Sequence, residues 1–292
     1  MSVDKLQDRI RRVKTPVVID LSADSRMVPP VLLEQTEKWN EAYLQYAQQL
    51  LEALKGNVPA VRFQFNAFAL LGPDGLKTLK TVTKRAQRLG FYVLLDVPEA
   101  PSADRAEQTA QLLLGEDAPY AFDGLILSSY IGSDGMKPYA KGIGKAGKTL
   151  FIVTRTPNKS AAELQDLLTG SRLVHLAMAD VVNHLDAPAP GRCGYSQIGC
   201  VASATAADSL KNLRSKYKNM FLLVDGYDYS TANAKNCSYA FDSVGHGAIV
   251  CAGPCVTMAW QDPERCQQDY LQLAMDEIGR IKKNLAKYVT VL

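Results

Sequence analysis

Eight short β-rich apolar runs recur along the chain, each followed by a longer stretch, and that alternation restricts the fold more than any other feature. Parallel strands covered by helices on both faces have no reason to alternate polar and apolar residues, so they read as unbroken hydrophobic runs. The runs are Val17–Leu21, Ala60–Phe65, Tyr92–Val97, Gly124–Ser129, Leu150–Arg155, Ile198–Ser203, Met220–Asp225 and Ala248–Ala252. Helical patterns between and after them include Val31–Leu54, Gly75–Leu89, Ala103–Leu114, Ala161–Leu168, Ala207–Lys216 and a closing helix near Pro263–Tyr288, with Lys, Glu and Gln on one exposed stripe. Repeats of this kind and number fit a closed barrel better than an open sheet, which predicts an α/β fold, a single (β/α)8 TIM barrel. No Pro/Ser-rich linker, sharp composition shift or tandem repeat divides residues 1–292, so one domain is expected, with His184–Cys193 as a long loop.

The 33 Lys and Arg against 30 Asp and Glu leave a net charge of +3, evenly interleaved, which argues against nucleic acid or a membrane surface as partner and for a small molecule or a protein. No segment approaches the roughly 20 uninterrupted apolar residues that a bilayer crossing needs. The opening residues Asp4, Lys5, Asp8, Arg9, Arg11 and Arg12 read as a charged helix rather than a signal peptide, so a cytoplasmic location is expected. Cys193, Cys200, Cys237, Cys251, Cys255 and Cys266 are irregularly spaced in a chain too large to need stapling, and are read as reduced thiols. Cys251 and Cys255 form a C-x3-C pair, but no second pair or nearby His completes a ligand set, and no metal is expected. His175, His184 and His246 fall away from the run ends and are read as ordinary surface or core histidines.

In such barrels ligands meet the C-terminal ends of the strands and the loops that follow. That rule selects Asp20, Ser22, Arg62, Gln64, Asn66, Asp96, Ser128, Ser129, Arg155, Ser203, Asp225, Asp228 and the turn Ala252–Cys255. Any single member could instead cap a helix or satisfy loop backbone, so the set carries the inference rather than its members. Asp20, Asp96, Asp225 and Asp228, with Glu99 and Asp104, make the expected mouth rich in carboxylates. Such a field suits a cationic ligand or a hard divalent metal, unless the acids are solvated or paired with Arg62 and Arg155.

Several stretches together resemble the orotidine 5'-phosphate decarboxylase family in its longer bacterial form. They are Asn66–Leu76 after the second run, Ser129–Tyr139 after the fourth, Thr154–Asn158 at the fifth, Glu163–Leu167 beyond it, and Gly194–Gly199 leading into the sixth. The resemblance implies loss of carbon dioxide from orotidine monophosphate without a cofactor, through a ring carbanion that the protein stabilises and protonates. It further implies a lysine after the second strand and a D-x-K-x-x-D motif after the third, whose lysine delivers the proton. An arginine after the eighth strand and a glutamine after the seventh would grip the phosphate, and a two-fold dimer would form the sites.

This chain departs from that pattern at most of those positions. The third run ends Leu95-Asp96-Val97-Pro98-Glu99-Ala100-Pro101, so the first motif aspartate survives as Asp96 while Pro98 and Pro101 stand at the lysine and second aspartate positions. Arg62 stands where the other lysine belongs, a cation without an accessible proton near neutral pH. Ser22 takes the ribose-holding aspartate position, with Asp20 as a displaced replacement, and Pro157 takes that of a pyrimidine-contacting hydroxyl. At the phosphate end Asp225 and Asp228 occur in the turn after the seventh run, and Pro254 stands at the arginine position. Asp96 and Arg62 are therefore read as remnants of the catalytic set, and Asp20, Ser22, Gln64, Asn66, Ser129, Arg155 and Asp225 as ligand-binding candidates. Three readings follow: an inactive barrel with a binding or scaffold role, as a homodimer or paired with an active paralogue; a repurposed barrel for a cationic ligand or divalent metal; or an active decarboxylase of pyrimidine synthesis in which Lys137, Lys141 or Lys145 reaches the site.

Overall fold

The computed structural model describes residues 1–97, 102–265 and 269–291. Eight parallel strands close on themselves: β1 (Val17–Asp20), β2 (Ala60–Gln64), β3 (Tyr92–Asp96), β4 (Gly124–Ser128), β5 (Thr149–Val153), then β8 (Ile198–Ser203), β9 (Leu222–Asp225) and β10 (Ala248–Ala252). The seam is the pairing of β1 with β10, where Val18 faces Cys251. This is the TIM barrel expected from the alternation, with strand ends shifted by at most two residues from the runs.

Successive side chains on a strand point to opposite faces. Val18, Ala60, Tyr92, Leu94, Ile126, Phe151, Val201, Leu223, Ile249 and Cys251 therefore fill the barrel, while Val17, Ile19, Val61, Phe63, Val93, Leu95 and their counterparts pack outward under the helices. Helix α1 (Ser2–Val13) closes the floor with Val3, Leu6 and Ile10. Its Ser2 hydroxyl bonds Tyr92 Oη at 2.9 Å, and Lys5 pairs with Asp123 below β4.

Three of the expected helices differ. The stretch Val31–Leu54 is broken into α2 (Pro30–Leu33) and α3 (Trp39–Leu54). No helix spans Ala161–Leu168; a 3-10 turn (Lys159–Glu163) leads into a small hairpin of β6 (Leu168–Thr169) and β7 (Arg172–Leu173), followed by α8 (Val174–Asn183). Gly170 turns that hairpin with φ of 63°, a conformation that glycine adopts without steric cost, so a turn there competes with helix. The other helices are α4 (Phe65–Ala69), α5 (Gly72–Arg88), α6 (Ala103–Leu114), α7 (Ser133–Ala146), α9 (Ala207–Lys216), α10 (Ala234–Ser238), α11 (Pro254–Thr257) and α12 (Tyr270–Ala286). The last begins at Tyr270 rather than near Pro263, because the Asp269 carboxylate caps the Leu271 and Gln272 amides at 2.9 Å. Among the described residues no helix is long and apolar enough to cross a membrane.

Candidate functional site

The same period of two that buries Val18, Leu94 and Leu223 inside the barrel brings Asp20, Asp96 and Asp225 up as its polar top layer, two residues further along each strand. Arg62 projects into this layer from β2, where it sits beside Asp20 in register. Arg62 is only 7% exposed, and its guanidinium is ion-paired with three carboxylates: Asp96, Asp225 at 3.0 Å and Asp20 at 3.8 Å. Cys251 Sγ lies 3.8 Å from its Nη1. Burial alone would pull the arginine pKa down, but Asp225, Asp96 and Asp20 outweigh it and raise the value well above the ordinary one. Arg62 is therefore a fixed cation with no proton to give.

Burial is also the largest influence on Asp96 and lifts its pKa; Arg62 opposes the rise, while Asp20 and Asp225 add to it. Three acids thus share one guanidinium. Asp20 finds other donors, since it accepts the Ser22 amide at 2.8 Å, the Ser22 hydroxyl, and the Gln64 side-chain amide at 2.9 Å. Ser22 Oγ in turn accepts the Gln64 backbone N–H at 2.8 Å, which ties the loop after β1 to the end of β2.

Arg155 belongs to a separate group. It grips Asp166 through two bonds of 2.9 and 2.8 Å, and His175 Nδ1 lies 3.2 Å from the same carboxylate and 2.8 Å from the Gln165 carbonyl. The Arg155 hydrogen bonds hold Asp166 below the usual carboxylate range, and burial lowers His175. His175 is thus a buried partner of a site-margin ion pair rather than a residue remote from the strand ends. Sequence reading missed it because α8 was not foreseen; the turn signal Thr169-Gly170-Ser171 could have revealed the hairpin that delivers it.

Two strands further round the barrel Asp228 stands in the turn after β9, and its two oxygens accept the backbone N–H of Gly253 at 2.8 Å and of Cys255 at 2.9 Å. The backbone donors of the turn after β10 are thus already filled by an anion of the chain itself. Pro157 presses on Gly226, whose positive φ of 84° suits a residue without Cβ; an added Cβ would come within 2.3 Å of the Pro157 ring.

The remaining candidates do not join the Arg62 network. Asn66 is exposed on α4, Ser129 is buried in the turn after β4 with its carbonyl bonded to Gly132, and Ser203 bonds Thr205 at 2.7 Å. Asp104 lies exposed in the first turn of α6. Pro98, Glu99 and Pro101 lie outside the described residues, as does Cys266. Lys137, Lys141 and Lys145 line a groove between α6 and α7 on the outside of the barrel. The described cysteines are free thiols, with Cys251 inside the barrel and Cys255 beside Asp228.

The fold and its mouth define a TIM-barrel protein whose inward-facing strand ends form a charged ring. No family model matches the chain. It is similar to the orotidine 5'-phosphate decarboxylase of Clostridium acetobutylicum, with 27% identity over 282 residues covering 96% of both chains. To that of Rhodopirellula baltica it is 29% identical over 213 residues, 72% of this chain and 70% of the relative. Among solved structures, the Plasmodium berghei orotidine 5'-monophosphate decarboxylase superposes with a TM-score of 0.75 at 14% identity, covering 98% of both chains. The chain is an orotidine 5'-phosphate decarboxylase-like protein.

Proposed function

We propose that this barrel no longer decarboxylates orotidine monophosphate and serves as a binding or scaffold protein, either as a homodimer or paired with an active paralogue in the cytoplasm. One observation carries the reading: the cation of the charged ring is an arginine locked between Asp20, Asp96 and Asp225. Decarboxylation through a ring carbanion needs a group that hands over a proton, and a guanidinium held ionised by three acids does not. The sequence has no lysine between Lys84 and Lys137, so the loop after β3 supplies none. Asp228 seated on the Gly253 and Cys255 amides also supports the loss of a phosphate pose at that turn, since a second anion there would meet a carboxylate already in place.

The test is consumption of orotidine monophosphate by the purified chain at substrate concentrations of order 1 mM, where weak binding would still fill the site. The expected result is no turnover above buffer. Turnover abolished by Lys137→Ala, Lys141→Ala or Lys145→Ala would overturn the proposal. The surplus of acids over Arg62 favours a second reading, a small cationic ligand at the mouth, which a saturable thermal upshift with organic amines or Mg2+ would support.

A further inference from the structure

A cavity of about 490 Å3 lies outside the charged ring, between the segment after β9 and the outer helix α12, within the size range of small-molecule sites. Its wall carries three cations among the described residues, Lys235 from α10, Arg280 from α12 and Lys287 just past the end of α12. Arg280 lies in the last two turns of α12 and Lys287 is the residue that caps its C-terminal end. The only acid among the described lining residues is Asp228, and both of its oxygens are engaged by the Gly253 and Cys255 amides on the barrel side. Lys287 Nζ is held by the neutral Asn284 side-chain oxygen at 3.2 Å, whereas Arg280 is ion-paired through its Nε with Glu277 at 2.6 Å, which offsets part of its charge. Tyr227 and Tyr288 supply aromatic surface beside these cations.

We propose that this cavity binds a small organic dianion of the phosphate-monoester class, its oxygens among Lys235, Arg280 and Lys287 and its organic part against the two tyrosines. Three separate cations suit a compact group with several acceptor oxygens, because each can donate to a different oxygen. The site is independent of the charged ring and of whether the ring is inert.

The probe is phenyl phosphate, titrated calorimetrically into the full chain at fixed, low ionic strength, where exposed charges are least screened. Saturable binding with a dissociation constant of order 1 mM or tighter is expected. Because the cations are solvent-facing, Arg280→Gln and Lys287→Gln should each weaken it about two- to fivefold, and the double variant about tenfold. Inorganic phosphate should bind more weakly through loss of the ring contact, and Asp225→Asn should leave the affinity unchanged. The proposal is overturned by an absence of saturable binding, by an affinity that the double variant does not move, or by tighter binding in Asp225→Asn, which releases Arg62 from one carboxylate and would place the ligand at the barrel mouth. Thermal melts of the surface variants close to the parent confirm that any loss is local.

Discussion

Replacing Arg62 by Met removes the one cation among three acids while keeping most of the buried volume. At 3.0 Å and an effective dielectric near 20, the Arg62–Asp225 attraction alone is about 5 kcal/mol before desolvation is counted. Part of this is offset by the cost of burying the guanidinium, so truncation is expected to cost about 3–5 kcal/mol near pH 8, where the acids are left facing one another. The pH dependence identifies the cause. The folded pKa of Asp96 lies above its ordinary value of 3.8, so its contribution is fully present below that value and is lost as pH rises through the folded pKa. Without Arg62 to oppose the rise, the folded pKa climbs further, and the deficit of R62M against the parent grows with pH. Urea unfolding at pH 4.5 and pH 8 should show the deficit shrinking by about 1–2 kcal/mol at the acid end as carboxylates take up protons. Adding Asp96→Asn to R62M should recover about 1 kcal/mol at pH 8. A deficit that is the same at both pH values, or a double variant no better than R62M, would refute the coupling.

Ser22→Ala removes the hydroxyl that accepts the Gln64 amide and donates to Asp20, and should cost about 1–3 kcal/mol in chemical denaturation. Arg155→Ala should cost about 1–2 kcal/mol at pH 7. Since Arg155 lowers the Asp166 pKa, that contribution exists above the unfolded value and fades as pH falls through the folded one, so variant and parent should converge in acid unfolding curves. Gly199→Ala sets a Cβ within 2.2 Å of the Phe221 carbonyl oxygen on the neighbouring strand; a loss of about 3 kcal/mol or more is expected, visible as a depressed melting temperature or insoluble expression, and an unchanged melt would contradict the β8–β9 packing.

The barrel was legible because burial on both strand faces writes itself into composition: Ile198–Ser203 and Ala248–Ala252 match their strands end to end. The mouth followed from period two, which set Asp20, Arg62, Asp96 and Asp225 at the same end before any contact was known. What could not be read was pairing across strands distant in sequence. Either Arg62 or Arg155 could have neutralised the acids, and only the register of β1 with β2 and the closure of the ring give all three to Arg62, while Arg155 goes to Asp166. The hairpin at Leu168–Leu173 was lost because the apolar spacing around Leu164, Leu167 and Leu168 mimics a helix, and a two-residue strand leaves no periodicity to detect.

The seam between the first and last strands has a consequence for how the molecule is made. A chain leaving the ribosome emits β1 early and must wait for β10 before Val18 can meet Cys251, so the earliest strand spends most of synthesis with one edge open. Ring closure is then a late event that joins contacts distant in sequence, which makes it a slow step and the stage most exposed to capture by chaperones or by the edge of another nascent chain.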